Sequence, residues 1–292
     1  MCDALSVPEG DTIFRAATSL RRWIGGRVIT AARSVAPGVA AATLVGRTVT
    51  RVEARGKSLL VTFDDEVVLH THMRMTGSWH VYPVGARWQK PARHAVIVLE
   101  AADRLAVCFS APIVELLAAA TAERDSGVAE LGPDVLVEPL DMAEVRRRAA
   151  TRPAWLALGE LLLDQRVVAG IGNIYRCESL FQCRLHPWTA RAAVDDAALD
   201  ALIGVAARLM RANLIGSGRN FAPGSGHEPP WVYGRSGRPC RRCAALVISR
   251  PQGPQARIAY WCPRCQPAPA PAPPPPPRPR PSAGERVSRA VA

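Results

Sequence analysis

Apolar side chains recur along this chain with two different periods. Between Ile13 and Ile24 they return every three or four residues, which places Ile13, Phe14, Ala17, Leu20 and Ile24 on one face of a predicted helix, with Asp11 or Thr12 as its N-cap. From Val28 to about Leu117 the period shortens to two. Residues 49–54 alternate, and 58–63, 67–70 and 95–99 follow as short strands separated by turn residues, the pattern of a β-sandwich or flattened barrel. The helical period then returns. Helices are predicted over 143–151, 155–168, 174–181 and 196–213, the last with Leu199, Leu202, Ile203, Ala206 and Leu209 inward.

Strands followed by helices give an α+β fold class, with an N-terminal β-sandwich domain over residues 8–130 and a C-terminal helical domain over 131–234. Leu131-Gly-Pro-Asp-Val is read as the hinge between them, and 216–232 as a Gly/Pro loop. Residues 235–266 form a small cysteine-containing ribbon. Residues 267–292 are rich in Pro and Ala, with four arginines and one glutamate, and cannot bury a core. Residues 1–7 form no recognisable element and are expected to be untranslated or removed.

Charge narrows the function. Lys+Arg 37 against Asp+Glu 25 gives a net +12, which points to a polyanionic partner. Only Lys57 and Lys90 are lysines, so each poses the question of what arginine could not do there. No apolar run reaches the roughly 18 residues of a membrane span, and no signal peptide opens the chain, so no membrane association is expected. Of eight cysteines, Cys2, Cys108, Cys177 and Cys183 are scattered, which is not a disulfide framework and suits a reducing cytoplasm. The other four form Cys240-Arg-Arg-Cys243 and Cys262-Pro-Arg-Cys265 across an 18-residue spacer. Two such knuckles predict one structural Zn(2+), since four thiolates complete a closed tetrahedral shell. Between Arg235 and Cys265 stand seven arginines and no acidic residue.

One stretch organises the rest: Gly159 to Phe181, with an apolar stripe of Leu158, Leu161, Leu162, Val167 and Val168, a break at Gly170-Ile-Gly172, and a second helix opened by Asn173 as N-cap. Such a turn aims backbone N–H groups outward and can grip a phosphate; on the Gly-x-Gly spacing alone, an ordinary helical hairpin with glycine C-caps is the favoured reading. The whole string resembles the helix–two-turn–helix signature of the Fpg/Nei family of DNA glycosylases. Three other segments agree in order: Pro8-Glu-Gly-Asp-Thr12, Arg55-Gly-Lys57 at a hairpin tip, and the zinc ribbon. The resemblance spans about residues 8–266.

That resemblance implies a bifunctional DNA glycosylase and AP lyase of base excision repair, acting on damaged DNA as a nucleoid-associated cytoplasmic monomer. Pro8 would be the amine nucleophile, Glu9 would exchange protons with the opening sugar, and Lys57 would approach the lesion phosphate. Asn173 and Gly172 would hold the backbone, and Arg257 would support the second elimination or be one more basic residue of a DNA-facing ribbon. In His72-Met-Arg-Met75, Met75 either wedges into the space of an extruded base or packs with Met73 into the sandwich. His94 either contacts DNA or is structural.

Two departures matter. Seven residues precede Pro8, and a proline nitrogen inside a peptide bond has no usable lone pair, whereas a free α-amino group, pKa about 7.7–8.0, does. Translation from Val7 is the favoured explanation; clipping and a missing lyase activity are the others. The Fpg branch carries Asp-Pro-Arg-Arg-Phe where this chain reads Ala106-Val-Cys-Phe-Ser-Ala-Pro-Ile-Val-Glu-Leu116, and its loop over an oxidised purine is longer. Both differences favour the endonuclease VIII (Nei) side and oxidised pyrimidines. The rival readings are a catalytically silent lesion- or DNA-binding homologue with a blocked Pro8, and a zinc-ribbon accessory of a larger DNA machine.

Overall fold

The computed structural model describes residues 7–215, 219, 221 and 229–269. Most of the 1–7 extension, most of the 216–232 loop and the tail beyond 269 lie outside the described residues. The chain begins with helix α1 (Gly10–Ile24), followed by strands β1 (Ala31–Ser34), β2 (Val49–Arg55), β3 (Ser58–Phe63), β4 (Val67–His72), β5 (Ser78–Pro83), β6 (Ala95–Ala101), β7 (Arg104–Phe109) and β8 (Ile113–Ala118). Helices α2 (Ala119–Asp125), α3 (Met142–Ala150), α4 (Leu158–Leu161), α5 (Asn173–Gln182) and α6 (Asp196–Ala212) follow. A last hairpin pairs β9 (Ile248–Gln252) with β10 (Arg257–Trp261).

Two four-stranded antiparallel sheets, ordered β1-β6-β7-β5 and β2-β3-β4-β8, face each other. Their core holds Leu59, Val61, Phe63, Leu69, Ile97, Leu99 and Cys108, with Ile13, Leu20 and Ile24 of α1 packed into the same cluster. The four strands read from the sequence are present. The edges β1 and β5 and the strands β7 and β8 had no clear alternation. β3 is apolar on both faces because Leu60 packs outward against Val68, Ala122 and Val128 while its neighbours point into the sandwich.

The helical core is built on α5 and α6. Leu199, Leu202, Ile203, Ala206 and Leu209 are all buried, as their spacing requires, and Asp195 caps α6 through the Ala198 N–H at 2.7 Å. The helix expected over 155–168 is corrected: only Leu158–Leu161 is helical. Asp164 takes the Arg166 N–H on its side chain, and Gln165 bonds Leu163 O, Ile171 O and the Gly170 N–H, so local side-chain bonds displace the helical ladder. The apolar residues of that stripe are still buried.

Residues 131–135 are docked against the rest of the molecule. Gly132 N–H donates to Gln165 O, and Asp134 accepts the Gly56 N–H at 2.7 Å, tying the β2–β3 turn to the helical half. Among the described residues no helix is long and apolar enough to cross a membrane.

Candidate active site

The start of α1 and the start of α5 meet inside the molecule. Glu9 is the N-cap of α1, and Asp11, expected to cap it, is instead the second helical residue and fully buried. The Glu9 side chain leaves its own helix and caps another. It accepts from the N–H groups of Ile174 (2.7 Å), Gly172 (3.1 Å) and Tyr175 (3.4 Å). The anion site at this glycine-rich turn is therefore filled from within, by a carboxylate 1% exposed. Gly172 is the N-cap of α5 and Asn173 its first residue, one position from the sequence assignment.

Glycines allow this approach. A Cβ at Gly172 would overlap the Glu9 carboxyl, and one at Gly10 would lie 2.9 Å from the Gly170 Cα. The Gly10 N–H donates to Gly170 O at 3.0 Å. Gly170 itself has φ +98°, which L side chains rarely adopt. The two glycines of the turn thus serve contact between the chain start and α5.

Burial raises the Glu9 pKa above the ordinary carboxylate value, opposed by the charges of Arg219 and Lys57 and by the Ile174 N–H. Lys57 stands at the β2–β3 turn, half-buried. Burial lowers its pKa to about 8, against the pull of Glu9 and with the repulsion of Arg257. An amine poised near neutrality can both hold a phosphate and pass a proton, and the second is what arginine cannot do.

Arg257 opens β10, and its Nη1 donates to Met75 Sδ at 3.1 Å. This contact joins the sandwich to the ribbon. Met75 is 48% exposed whereas Met73 is buried at 2%, so the two methionines divide: Met73 belongs to the core and Met75 faces out. His94 is exposed, with its backbone oxygen accepting from Ser110. Asn173 spends its side-chain N–H on Ile258 O at 3.0 Å, fixing β10 against α5. Pro8 is buried beside Glu9.

Several participants had no legible motif. Arg219 donates to both Asp11 oxygens at 2.8 Å, and Tyr175 Oη donates to Asp11 Oδ2 at 2.9 Å. Arg176, fully buried, donates to Gln252 and to Arg257 O, and Glu178 accepts from the N–H groups of Trp231, Val232 and Tyr233. The available signal was the pair of charges inside the otherwise apolar run Ile174–Phe181, since charges on an inward face are buried only when paired. Phe14, expected inward, is 36% exposed.

The cysteine sulfurs of Cys240, Cys243, Cys262 and Cys265 lie within 4.8 Å of one another, with Cys240–Cys265 at 3.9 Å and Cys243–Cys262 at 3.4 Å. Four sulfurs about 2.3 Å from one ion stand about 3.8 Å apart, so the four thiols of this cluster are gathered closely enough to hold one metal ion.

Comparison with known proteins agrees with this geometry. A family model described as the formamidopyrimidine-DNA glycosylase N-terminal domain matches residues 7–112, and one described as the formamidopyrimidine-DNA glycosylase H2TH domain matches residues 131–221. The chain is 38% identical to a probable endonuclease 8 2 of Streptomyces coelicolor over 263 residues, 89% of this chain and 94% of the relative. It is 36% identical to the DNA-(apurinic or apyrimidinic site) lyase Nei2 of Mycolicibacterium smegmatis, covering 90% of this chain and 100% of that one. Lactococcus lactis Fpg, solved in complex with DNA containing N7-benzyl-Fapy-dG, shares the fold at a TM-score of 0.73 and 23% identity, over 89% of this chain and 100% of that one.

Proposed function

The chain belongs to the formamidopyrimidine-DNA glycosylase family, in its endonuclease 8 (Nei-like) branch, and from that premise we propose a bifunctional DNA glycosylase and AP lyase of base excision repair, acting as a monomer. The observation that carries this reading is the seating of Glu9, the neighbour of Pro8 in sequence, on the α5 N-terminus, where its charge is felt by Lys57 and Lys57 in turn feels Arg257. A base inside a duplex is out of reach, so the damaged nucleotide must be turned out toward these residues.

In a chain beginning at Pro8, the secondary amine attacks C1′ of the extruded nucleotide. A C–N bond forms as the C1′–base bond breaks, the base leaves with the glycosidic electron pair, and it takes up the proton that the amine gives up. Glu9, next in sequence to the nucleophile, passes a proton to O4′ as the sugar opens, leaving an iminium. Loss of the C2′ proton sends electrons into that iminium and expels the 3′ phosphate. A second elimination expels the 5′ phosphate. Lys57 and Arg257 offset the phosphate charge on either side. Asn173 and Gly172 act through placement, the first on β10 and the second on Glu9. Met75, exposed beside Arg257, enters the space of the extruded base, and His94 contacts the backbone.

Zinc suits the four-cysteine cluster: Cys240, Cys243, Cys262 and Cys265 would hold it as thiolates, and it would serve structurally by fixing the β9–β10 hairpin that presents Arg257. The short β7–β8 connection of Ser110, Ala111 and Pro112, with no arginine from Ala106 to Leu116, supports oxidised pyrimidines as preferred substrates.

A silent DNA-binding homologue is favoured by one observation: the Val7 carbonyl, preceding Pro8, accepts from Arg219 Nη1 at 2.9 Å. Duplexes with one abasic site, one oxidised pyrimidine or one oxidised purine decide between these readings. We expect cleavage leaving phosphate on both sides of the gap, faster at the pyrimidine lesion. Binding without cleavage by a chain starting at Pro8 would overturn the lyase reading, and faster action on the purine would overturn the substrate preference.

A further inference from the structure

Arg219 and Asp11 form a buried ion pair that the chemistry above does not use. Asp11 is 0% and Arg219 4% exposed. The guanidinium donates Nε and Nη2 to the two Asp11 oxygens at 2.8 Å each, and Nη2 also donates to Thr12 Oγ1 at 2.8 Å. A two-point fork of this kind fixes orientation as well as distance. The Tyr175 ring lies under the guanidinium, 5.6 Å from Cζ to centroid. Tyr175 touches both carboxylates of the first turn of α1: its hydroxyl donates to Asp11 at 2.9 Å and its backbone N–H to Glu9 at 3.4 Å.

We propose that the Asp11–Arg219 pair, closed by the Tyr175 hydroxyl, is the positioning device of the reaction, setting the nitrogen at position 8 and the Glu9 carboxylate in one fixed arrangement against α5. The inference rests on the lyase reading given above. Asp11 sits two residues beyond Glu9, on the turn that carries the nucleophile. A shift of about 1 Å at that turn is enough to cost on the order of a hundredfold in rate. The pair also has an electrostatic consequence. Arg219, Lys57, Asp11, Tyr175 and Tyr233 are the titratable or charged groups felt around Glu9, and among the charges Arg219 pulls its pKa down most. Neutralising the pair therefore releases Glu9 upward.

Removing one member strands the other charge in the interior, so single variants confound position with folding. The test is the neutral pair Asp11→Asn with Arg219→Gln, together with Tyr175→Phe, which deletes one hydroxyl. All are made in the full chain with a Pro8 terminus and assayed on abasic duplex across pH, with Tm measured in parallel. We expect kcat for nicking to fall by at least about tenfold in the neutral pair, KM to stay within about threefold, and the alkaline limb of the pH profile, set by the loss of the Glu9 proton, to move to higher pH. Tyr175→Phe should show a smaller loss of kcat in the same direction. Wild-type kcat and an unmoved alkaline limb in the folded variants would reduce the pair to a structural one and overturn the proposal, whatever the change in Tm. If the neutral pair does not fold, Tyr175→Phe alone decides in the same terms. Absence of nicking by the wild-type Pro8 chain would count against the lyase reading instead.

Discussion

The Glu9 carboxylate lies 2.7 Å from the Ile174 amide, a hydrogen bond that closes 165 residues of sequence. It makes the start of the chain part of the helix–two-turn–helix element. Neither half of the candidate site is complete without the other.

Gly172 tests that closure directly, because a Cβ there would overlap the Glu9 carboxyl. Gly172→Ala should leave the fold intact while pushing Glu9 off its three N–H donors. The expected outcome is a drop in abasic-site nicking of about 10²-fold with duplex affinity nearly unchanged. Wild-type nicking would mean that Glu9 need not sit where it does. The comparison requires only gel-based cleavage rates and fluorescence anisotropy.

Glu9→Gln removes the carboxylate but keeps its size. The amide can present one oxygen to donors that now receive two, so at least one of the Gly172, Ile174 and Tyr175 N–H groups is left buried and poorly satisfied. We expect a stability loss of about 1–3 kcal/mol by urea titration and loss of base release.

Lys57 makes DNA affinity pH-dependent in a defined sense. Burial lowers its pKa to about 8, and a bound phosphate favours the ammonium, so the complex binds a proton more tightly than the free protein does. Affinity for abasic duplex should be flat below pH 8 and fall as pH rises beyond it. Lys57→Arg should remove that fall, because guanidinium keeps its charge, while slowing proton transfer. A wild-type affinity unchanged from pH 7 to 9.5 would contradict the placement of Lys57 at the phosphate.

The ribbon makes a separate prediction. One zinc per chain should be released when the four cysteines are modified with a mercurial, read with a chromogenic chelator. Cys243→Ser should lose the ion, loosen the β9–β10 hairpin and depress nicking through displacement of Arg257. Full nicking by the metal-free protein would separate the ribbon from the chemistry.

Much of this was readable from residue order. The periodic strands 49–54 and 58–63, the helix at 196–213 and the paired cysteines stand in the structure because local pattern and burial agree there. The start of α5 was legible as an anion site; that Glu9 is its occupant was not, because a contact between residues 9 and 174 leaves no trace in local spacing. Arg219 was hidden for the same reason, lying in a stretch whose Gly and Pro content reads only as loop. The helix expected over 155–168 failed where Asp164 and Gln165 offered the backbone other partners. Pattern registers a face to be buried; it does not register which distant group will face it.

The central claim is that the nitrogen of residue 8 becomes the covalent link to the sugar. Borohydride reduction during incubation with abasic duplex captures an iminium as a stable adduct. The protein should be compared in two forms of verified intact mass, one beginning at Pro8 and one retaining Met1 to Val7. We expect a DNA–protein adduct of one-to-one mass from the first form, mapped by peptide sequencing to Pro8, and none from the second. An adduct of equal yield from the longer form, or one mapped to Lys57, would contradict the account.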